Sequence, residues 1–213
     1  MTHRLAVLIS GTGSNLQAIL DAIDAGELPA RVSLVLSNKA GAAGLARAER
    51  AGVPAQAIDH RGFPDRASFD QAMIEVIDAH GADTVVLAGF MRILSPGFVR
   101  HYQGRLINIH PSLLPKYPGL NTHARALEAG DHEHGCSLHF VTDELDGGPL
   151  IAQAPLDVLA NDTVDSLSKR VQQREHLLYP LVLQWRAEQR LELNQNGVML
   201  DAKPLPEQGF QLV

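Results

Sequence analysis

Short apolar runs alternate with amphipathic stretches through the first half of the chain, and this alternation sets the fold class. Leu5-Ala6-Val7-Leu8-Ile9, Val32-Ser33-Leu34-Val35-Leu36-Ser37 and Thr84-Val85-Val86-Leu87-Ala88 are nearly continuous aliphatic runs, the pattern of strands buried on both faces of a parallel sheet. Ala55–Ile58 predicts a weaker strand, and Leu106–Ile109 predicts another, closed off by Pro111. Helical spacing appears in Leu16–Leu20, in Ala42–Ala51 and, from about Ser68 to His80, in Phe69, Ala72, Met73, Val76 and Ile77. The stretch His60 to Arg66 contains Gly62 and Pro64 and reads as an irregular loop. Ser95-Pro96 caps a short helix through Tyr102.

The second half reads differently. Thr122–Ala129 is a short helix ended by Gly130, and Gly135–Val141 and Leu150–Val158 are strands with no helix between them, so they pair antiparallel. A long helix starts at Asp162 or Thr163 and runs to Ala187, with Pro180 predicting a kink or a division in two. Leu191-Glu192-Leu193 and Val198-Met199-Leu200 flank Asn196-Gly197, a hairpin signal, and the tail beyond Pro204 is expected to be peripheral. The expected architecture is a single α/β domain. Its Rossmann-like, mostly parallel, twisted sheet has about seven strands, helices on both faces and antiparallel strands at one end. Residues 1–190 make its body, and 191–213 form a hairpin and tail packed on the same domain.

Composition narrows the class. The 213 residues are 45% hydrophobic and 20% charged, as in a soluble globular protein. The early run Leu5–Ile9 is too short for a signal-peptide core or a membrane span, so no membrane partner is expected. A net charge of −6 argues against broad nucleic-acid binding. The single cysteine, Cys136, excludes an internal disulfide and fits a reducing, cytoplasmic setting. It lies inside a predicted strand with no partner sequence, as a small buried hydrophobe would. His132, His134 and His139 lie near acidic residues, but without a recognised zinc spacing no metal is expected.

Candidate chemistry begins at the strand before Pro111. Side chains alternate along a strand, so Asn108 and His110 share one side while Ile107 and Ile109 take the other. They emerge at a carboxyl end, where open α/β sheets bind ligands. A carboxamide can donate to the oxyanion of an attacked carbonyl, and an imidazole can move protons near neutral pH. Read alone, Asn-x-His also suits an ordinary strand-to-loop junction. Ser10-Gly11-Thr12-Gly13-Ser14-Asn15 joins a strand to a helix amino end, an arrangement that favours anions. Leu16 stands where a dinucleotide fingerprint would place its third glycine, which suits a monophosphate better; a tight turn without ligand is the alternative. Gly89–Leu94 mixes apolar residues with one arginine, either as core packing or as the slot a flat ring needs. Asp146, ahead of Gly147 and Gly148, is by itself an ordinary turn residue.

Asn108-Ile109-His110-Pro111-Ser112-Leu113-Leu114-Pro115, with Lys116-Tyr117-Pro118-Gly119 and Leu145-Asp146-Gly147-Gly148-Pro149, resembles the signature of the folate-dependent formyltransferases. The resemblance runs from about Leu5 to about Trp185 with no broken motif. It implies transfer of the formyl group of 10-formyltetrahydrofolate, a co-substrate, to the amine of 5-phosphoribosylglycinamide in purine biosynthesis, with no metal and no enzyme nucleophile. It implies catalytic roles for Asn108, His110 and Asp146, with Asp146 set against His110, where a carboxylate favours the imidazolium. By the same resemblance the ribonucleotide meets Gly13, Ser14, Asn15, Gln172, Gln173, Arg174 and Glu175. The folate meets Arg66, Met91, Arg92, Ile93, Leu94, Asn108, Thr142, Asp143, Glu144, Leu145 and Asp146. The partners are small molecules, bound by a monomer or a homodimer. Family members that use water as acceptor, or that formylate methionyl-tRNA, are the enzyme alternatives. They carry an additional domain, whereas here the first strand begins at Leu5 and nothing large follows Ala187. A nucleotide-binding module is the non-enzyme alternative.

Overall fold

The computed structural model describes residues 2–213. The chain divides into two compact units, Met1–Asn108 and Ile109–Val213.

In the first unit, β1 (His3–Ile9), α1 (Ser14–Asp24), β2 (Ala30–Ser37), α2 (Ala43–Arg50), β3 (Ala55–Ala57), α3 (Arg66–Ala79), β4 (Thr84–Leu87), α4 (Pro96–His101) and the start of β5 (Leu106–His110) follow one another. All strand pairs are parallel, in the order β5-β4-β1-β2-β3. Residues 5–9 of β1 are fully buried, which is why this run is apolar at every position rather than at alternate ones. The loop expected at His60–Arg66 contains a short 3-10 turn, His60–Gly62. The next helix starts earlier than its apolar spacing suggests. Asp65 accepts the Ser68 N–H at 2.8 Å, so the capped helix begins at Arg66. Ser95 caps α4 by accepting the Phe98 N–H at 3.3 Å, with Pro96 in the first turn.

In the second unit, α5 (Thr122–Glu128) leads to β6 (Glu133–Phe140) and β7 (Leu150–Asp157), which pair antiparallel as expected. Then α6 (Val164–Ala187) packs on both strands. A capping box starts it: Thr163 Oγ1 accepts the Ser166 N–H at 3.1 Å, and Ser166 Oγ accepts the Thr163 N–H at 2.9 Å. Of the kink or division expected at Pro180, the division does not occur: α6 is continuous through it. A helix-interior proline costs ~3 kcal/mol. Burial of Leu178, Tyr179, Val182 and Leu183, at ~1.5–3 kcal/mol per large apolar side chain, outweighs that cost.

The hairpin β8 (Leu191–Asn194) and β9 (Gly197–Leu200) forms where expected, joined by β10 (Lys203–Pro204). Its turn residues are Gln195 and Asn196; Gly197, at φ 99°, already pairs with Asn194. The tail is not peripheral. Its residues Phe210–Gln211 form β11, parallel to β7, and the Phe210 ring meets Trp185 edge-on at 5.1 Å. Within this unit β11 joins β7 and β6, besides the three-stranded β8–β10 sheet. Among the described residues, no helix is long and apolar enough to cross a membrane.

Candidate active site

The carboxyl end of β5 holds the candidate amide and imidazole. Ile107 and Ile109 are buried, Asn108 is half-buried opposite Leu87 of β4, and His110 is buried. Strand alternation therefore puts the amide and the imidazole on one side. Neither nitrogen of His110 is loose. Nε2 lies 2.8 Å from the Tyr117 carbonyl oxygen. A carbonyl only accepts, so Nε2 carries a proton. Nδ1 lies 3.5 Å from Asp146 Oδ2, with both side chains largely buried. Both ring nitrogens therefore face oxygen atoms that can only accept.

Asp146 is held as firmly. It occupies the left-handed region at φ 51°, one of the few non-glycine types that tolerate it. Its Oδ2 also accepts the Gly119 N–H at 2.8 Å. A Cβ on Gly148 would overlap the Phe140 carbonyl oxygen, so only glycine lets this turn close against the end of β6. A second imidazole faces the carboxylate, His139 Nε2 at 3.9 Å from Oδ1. Burial pushes the His139 pKa down. Nδ1 donates to the Phe140 carbonyl at 3.0 Å. The contact is not an ion pair, and the Asp146 charge is directed at His110.

The loop after β5 is fastened by buried hydroxyls. Ser137 Oγ donates to the Ser112 carbonyl at 2.6 Å and accepts the Leu114 N–H at 3.0 Å. Gln153 Nε2 bonds the Leu114 carbonyl at 2.8 Å and Ser137 Oγ at 2.9 Å. Thr122 Oγ1 donates to the Pro111 carbonyl at 2.7 Å. Ser137 and His139, which the sequence reading did not place in the site, sit two apart on β6, the same alternation that marks Asn108 and His110.

In the first unit, α1 opens at Ser14 after Gly13, which has φ 72°. A Cβ on Gly13 would lie 2.7 Å from the Gly44 Cα. Gly44 donates to the Gly11 carbonyl at 3.0 Å, and Arg47 Nε donates to the Thr12 carbonyl at 2.8 Å. Gly13 is thus required by the backbone whatever it binds, while Ser14 is half-buried and Asn15 buried at the helix start. Ser10 ties this turn to the 89–94 loop: its Oγ donates to Asn38 Oδ1 at 2.6 Å and accepts the Met91 N–H at 2.8 Å. Sequence reasoning missed Ser10, since a serine after a strand carries no signal of its own. Met91 and Ile93 are 64% and 60% exposed, and Arg92 and Leu94 are half-buried. The core-packing reading of this stretch holds for Phe90, which is buried, and fails for Met91 and Ile93. Asp70, buried in α3, holds the loop's far end by accepting the Ser95 N–H. Arg66 is exposed in the first turn of α3.

The remaining candidates lie in the second unit. Thr142 is half-buried, and Asp143, Glu144 and Leu145 are exposed in the β6–β7 turn that carries Asp146. On α6, Gln172 and Gln173 are exposed and Glu175 is buried. Arg174 is half-buried, and its Nη2 donates to the Leu212 carbonyl, which ties α6 to the C-terminal tail. Cys136 is fully buried, and desolvation raises its thiol pKa. Among the described residues, no three ligating side chains converge to hold a metal.

His134 and His123 make a buried pair, Nε2 to Nδ1 at 3.1 Å. Burial, and then the neighbouring His123, push the His134 pKa down to about 4, and burial lowers His123 as well. The unfolded chain takes up these protons near its ordinary value, ~6.5, whereas the folded chain resists. Stability is therefore complete above that pH and falls as the pH drops toward 4. Urea unfolding at pH 7 and pH 4.5 is expected to differ by about 2 kcal/mol from His134 alone. In His134→Gln that part of the pH dependence should vanish; an unchanged slope would mean that His134 titrates normally.

A family model described as formyl transferase matches residues 3–183. The chain is 56% identical over 206 residues to the phosphoribosylglycinamide formyltransferase of Escherichia coli K12, spanning 97% of each. It is 48% identical over 194 residues to the trifunctional purine biosynthetic protein adenosine-3 of Bos taurus, covering 91% of this chain and 19% of that one. Among solved structures, phosphoribosylglycinamide formyltransferase from Coxiella burnetii matches with a TM-score of 0.96 and 51% identity, over 100% of both chains. Glycinamide ribonucleotide transformylase 1 from Symbiobacterium toebii matches with a TM-score of 0.90 and 46% identity, over 93% of this chain and 94% of that one. An amide and a carboxylate-paired imidazole at a strand end, on a chain matched so fully, leave one assignment: the chain belongs to the formyl transferase family.

Proposed function

We infer that this chain transfers the formyl group of 10-formyltetrahydrofolate to the amine of 5-phosphoribosylglycinamide, releasing formylglycinamide ribonucleotide and tetrahydrofolate. The observation that carries the inference is the His110–Asp146 contact beside Asn108 on β5. The full-length identity to the Escherichia coli phosphoribosylglycinamide formyltransferase selects the acceptor.

The amine lone pair attacks the formyl carbon, and the carbonyl π pair moves to oxygen. Asn108 donates its carboxamide N–H to that oxyanion, and the His110 charge, held by Asp146, stabilises it further. Collapse reforms the carbonyl and breaks the bond to folate N10, which takes up the proton that the amine gives up. Gly13, Ser14 and Asn15 receive the phosphate and ribose at the amino end of α1. Gln172, Gln173, Arg174 and Glu175 meet the rest of the ribonucleotide. The exposed apolar pair Met91 and Ile93, with Arg92 and Leu94, form the slot for the pteridine, joined by Arg66 and the 142–146 turn. Residues 1–190 act as the catalytic domain, with 191–213 attached to it, in the cytoplasm.

The deciding assay follows folate absorbance with each component omitted in turn. Turnover should require both formylfolate and the ribonucleotide. Release of tetrahydrofolate with water as the only acceptor would make the chain a deformylase, and no turnover in the complete mixture would refute the assignment.

A further inference from the structure

Tyr117 has no part in the chemistry assigned above, yet the structure goes to some length to aim it. Its backbone lies at φ 55°, a region an aromatic residue seldom enters. Contacts from outside hold it there. The phenol O–H donates to Asp131 Oδ2 at 2.8 Å, and Lys116 Nζ reaches both Asp131 oxygens at 3.1 Å. These two partners hold the Asp131 pKa below its ordinary range. The Arg125 guanidinium lies over the Tyr117 ring, 5.1 Å from its centre, and donates to the Pro118 carbonyl at 2.6 Å. Ser112 Oγ donates to the Lys116 carbonyl at 2.6 Å. The result is a Tyr117 carbonyl turned onto His110 Nε2 at 2.8 Å.

We propose that Tyr117, locked by Asp131, is a positioning residue for His110. Its carbonyl keeps a proton on Nε2 and sets the tilt of the ring, and its phenol anchor supplies the restraint. With Nε2 committed to that carbonyl, Nδ1 is the nitrogen turned toward Asp146. The consequence for rate rests on the function inferred above; the state of the ring does not. Packing of the loop alone is the rival explanation, and it makes no demand on the His110 tautomer.

The full chain is compared with Tyr117→Phe, Asp131→Ala and Asp131→Asn. Tyr117→Phe keeps the ring under Arg125 but drops the anchor. It and Asp131→Ala should each lower kcat about tenfold with both KM values within about twofold. Asp131→Asn keeps an oxygen to accept the phenol proton and should retain most of kcat. Long-range proton–nitrogen spectra, recorded without substrates, should show His110 with a protonated Nε2 in the parent and averaged nitrogens in the first two variants. Parental kcat in both variants, a kcat loss with unmoved His110 signals, or a parallel rise in KM would overturn the proposal. If the parent transfers no formyl group, the functional reading fails, and the ring spectra still decide the positioning role.

Discussion

His110→Ala is expected to lower kcat by at least ~10², with a smaller change in either KM, because the substitution removes the imidazole that the proposed mechanism sets beside the developing oxyanion. Asn108→Ala should cost ~10²–10³ for loss of the single directed donor. The two residues act on one oxygen, so the double variant should lose less than the product of the two single losses. His110 is buried and bonded to Tyr117, so alanine leaves an unsatisfied carbonyl and costs about 1–3 kcal/mol of stability. Turnover is therefore measured well below the thermal midpoint, with circular dichroism as the check of folding. A folded His110→Ala protein with near-parental turnover would remove the imidazole from the mechanism.

Asp146→Ala should reach a similar loss, ~10² in kcat, by a different route. The carboxylate serves His110 Nδ1 at 3.5 Å and the Gly119 N–H at 2.8 Å. Alanine deletes both contacts, and asparagine can still accept from Gly119 while lacking the charge. If charge is what matters, Asp146→Asn should be nearly as slow as Asp146→Ala. If holding the 111–119 loop is what matters, asparagine should recover most of the rate. Rates within threefold of the parent for both would uncouple Asp146 from His110 altogether. His139 cannot substitute, since burial keeps it neutral beside the carboxylate.

What the sequence discloses follows the range of the forces involved. Leu5–Ile9 and Thr84–Leu87 announce buried strands because every position is apolar, and period-two alternation alone puts Asn108 and His110 on one side. Partners distant in the chain leave no such trace. The two residues of β11 become a strand only because β7 offers them an edge. The hydrogen bond from Arg174 to the Leu212 carbonyl likewise joins residues far apart in the chain. Ser10 shows its role only when Asn38 and the Met91 N–H close on the same oxygen. Pro180 misleads for the same reason: local propensity argues for interruption, and burial along α6 overrides it. Asp146 is the intermediate case, a turn residue by composition whose partner was named only through a resemblance and whose 3.5 Å contact is a property of the folded chain.

The edge-on packing of Trp185 against Phe210 gives this protein an internal optical probe. The chain holds one tryptophan, so its emission comes from a single place, where the last strand closes over the end of α6. Release of that strand alone would wet the indole and redden its fluorescence while far-ultraviolet ellipticity stayed constant. Dilute urea can therefore separate fraying of the carboxyl terminus from collapse of the remainder, with no label attached.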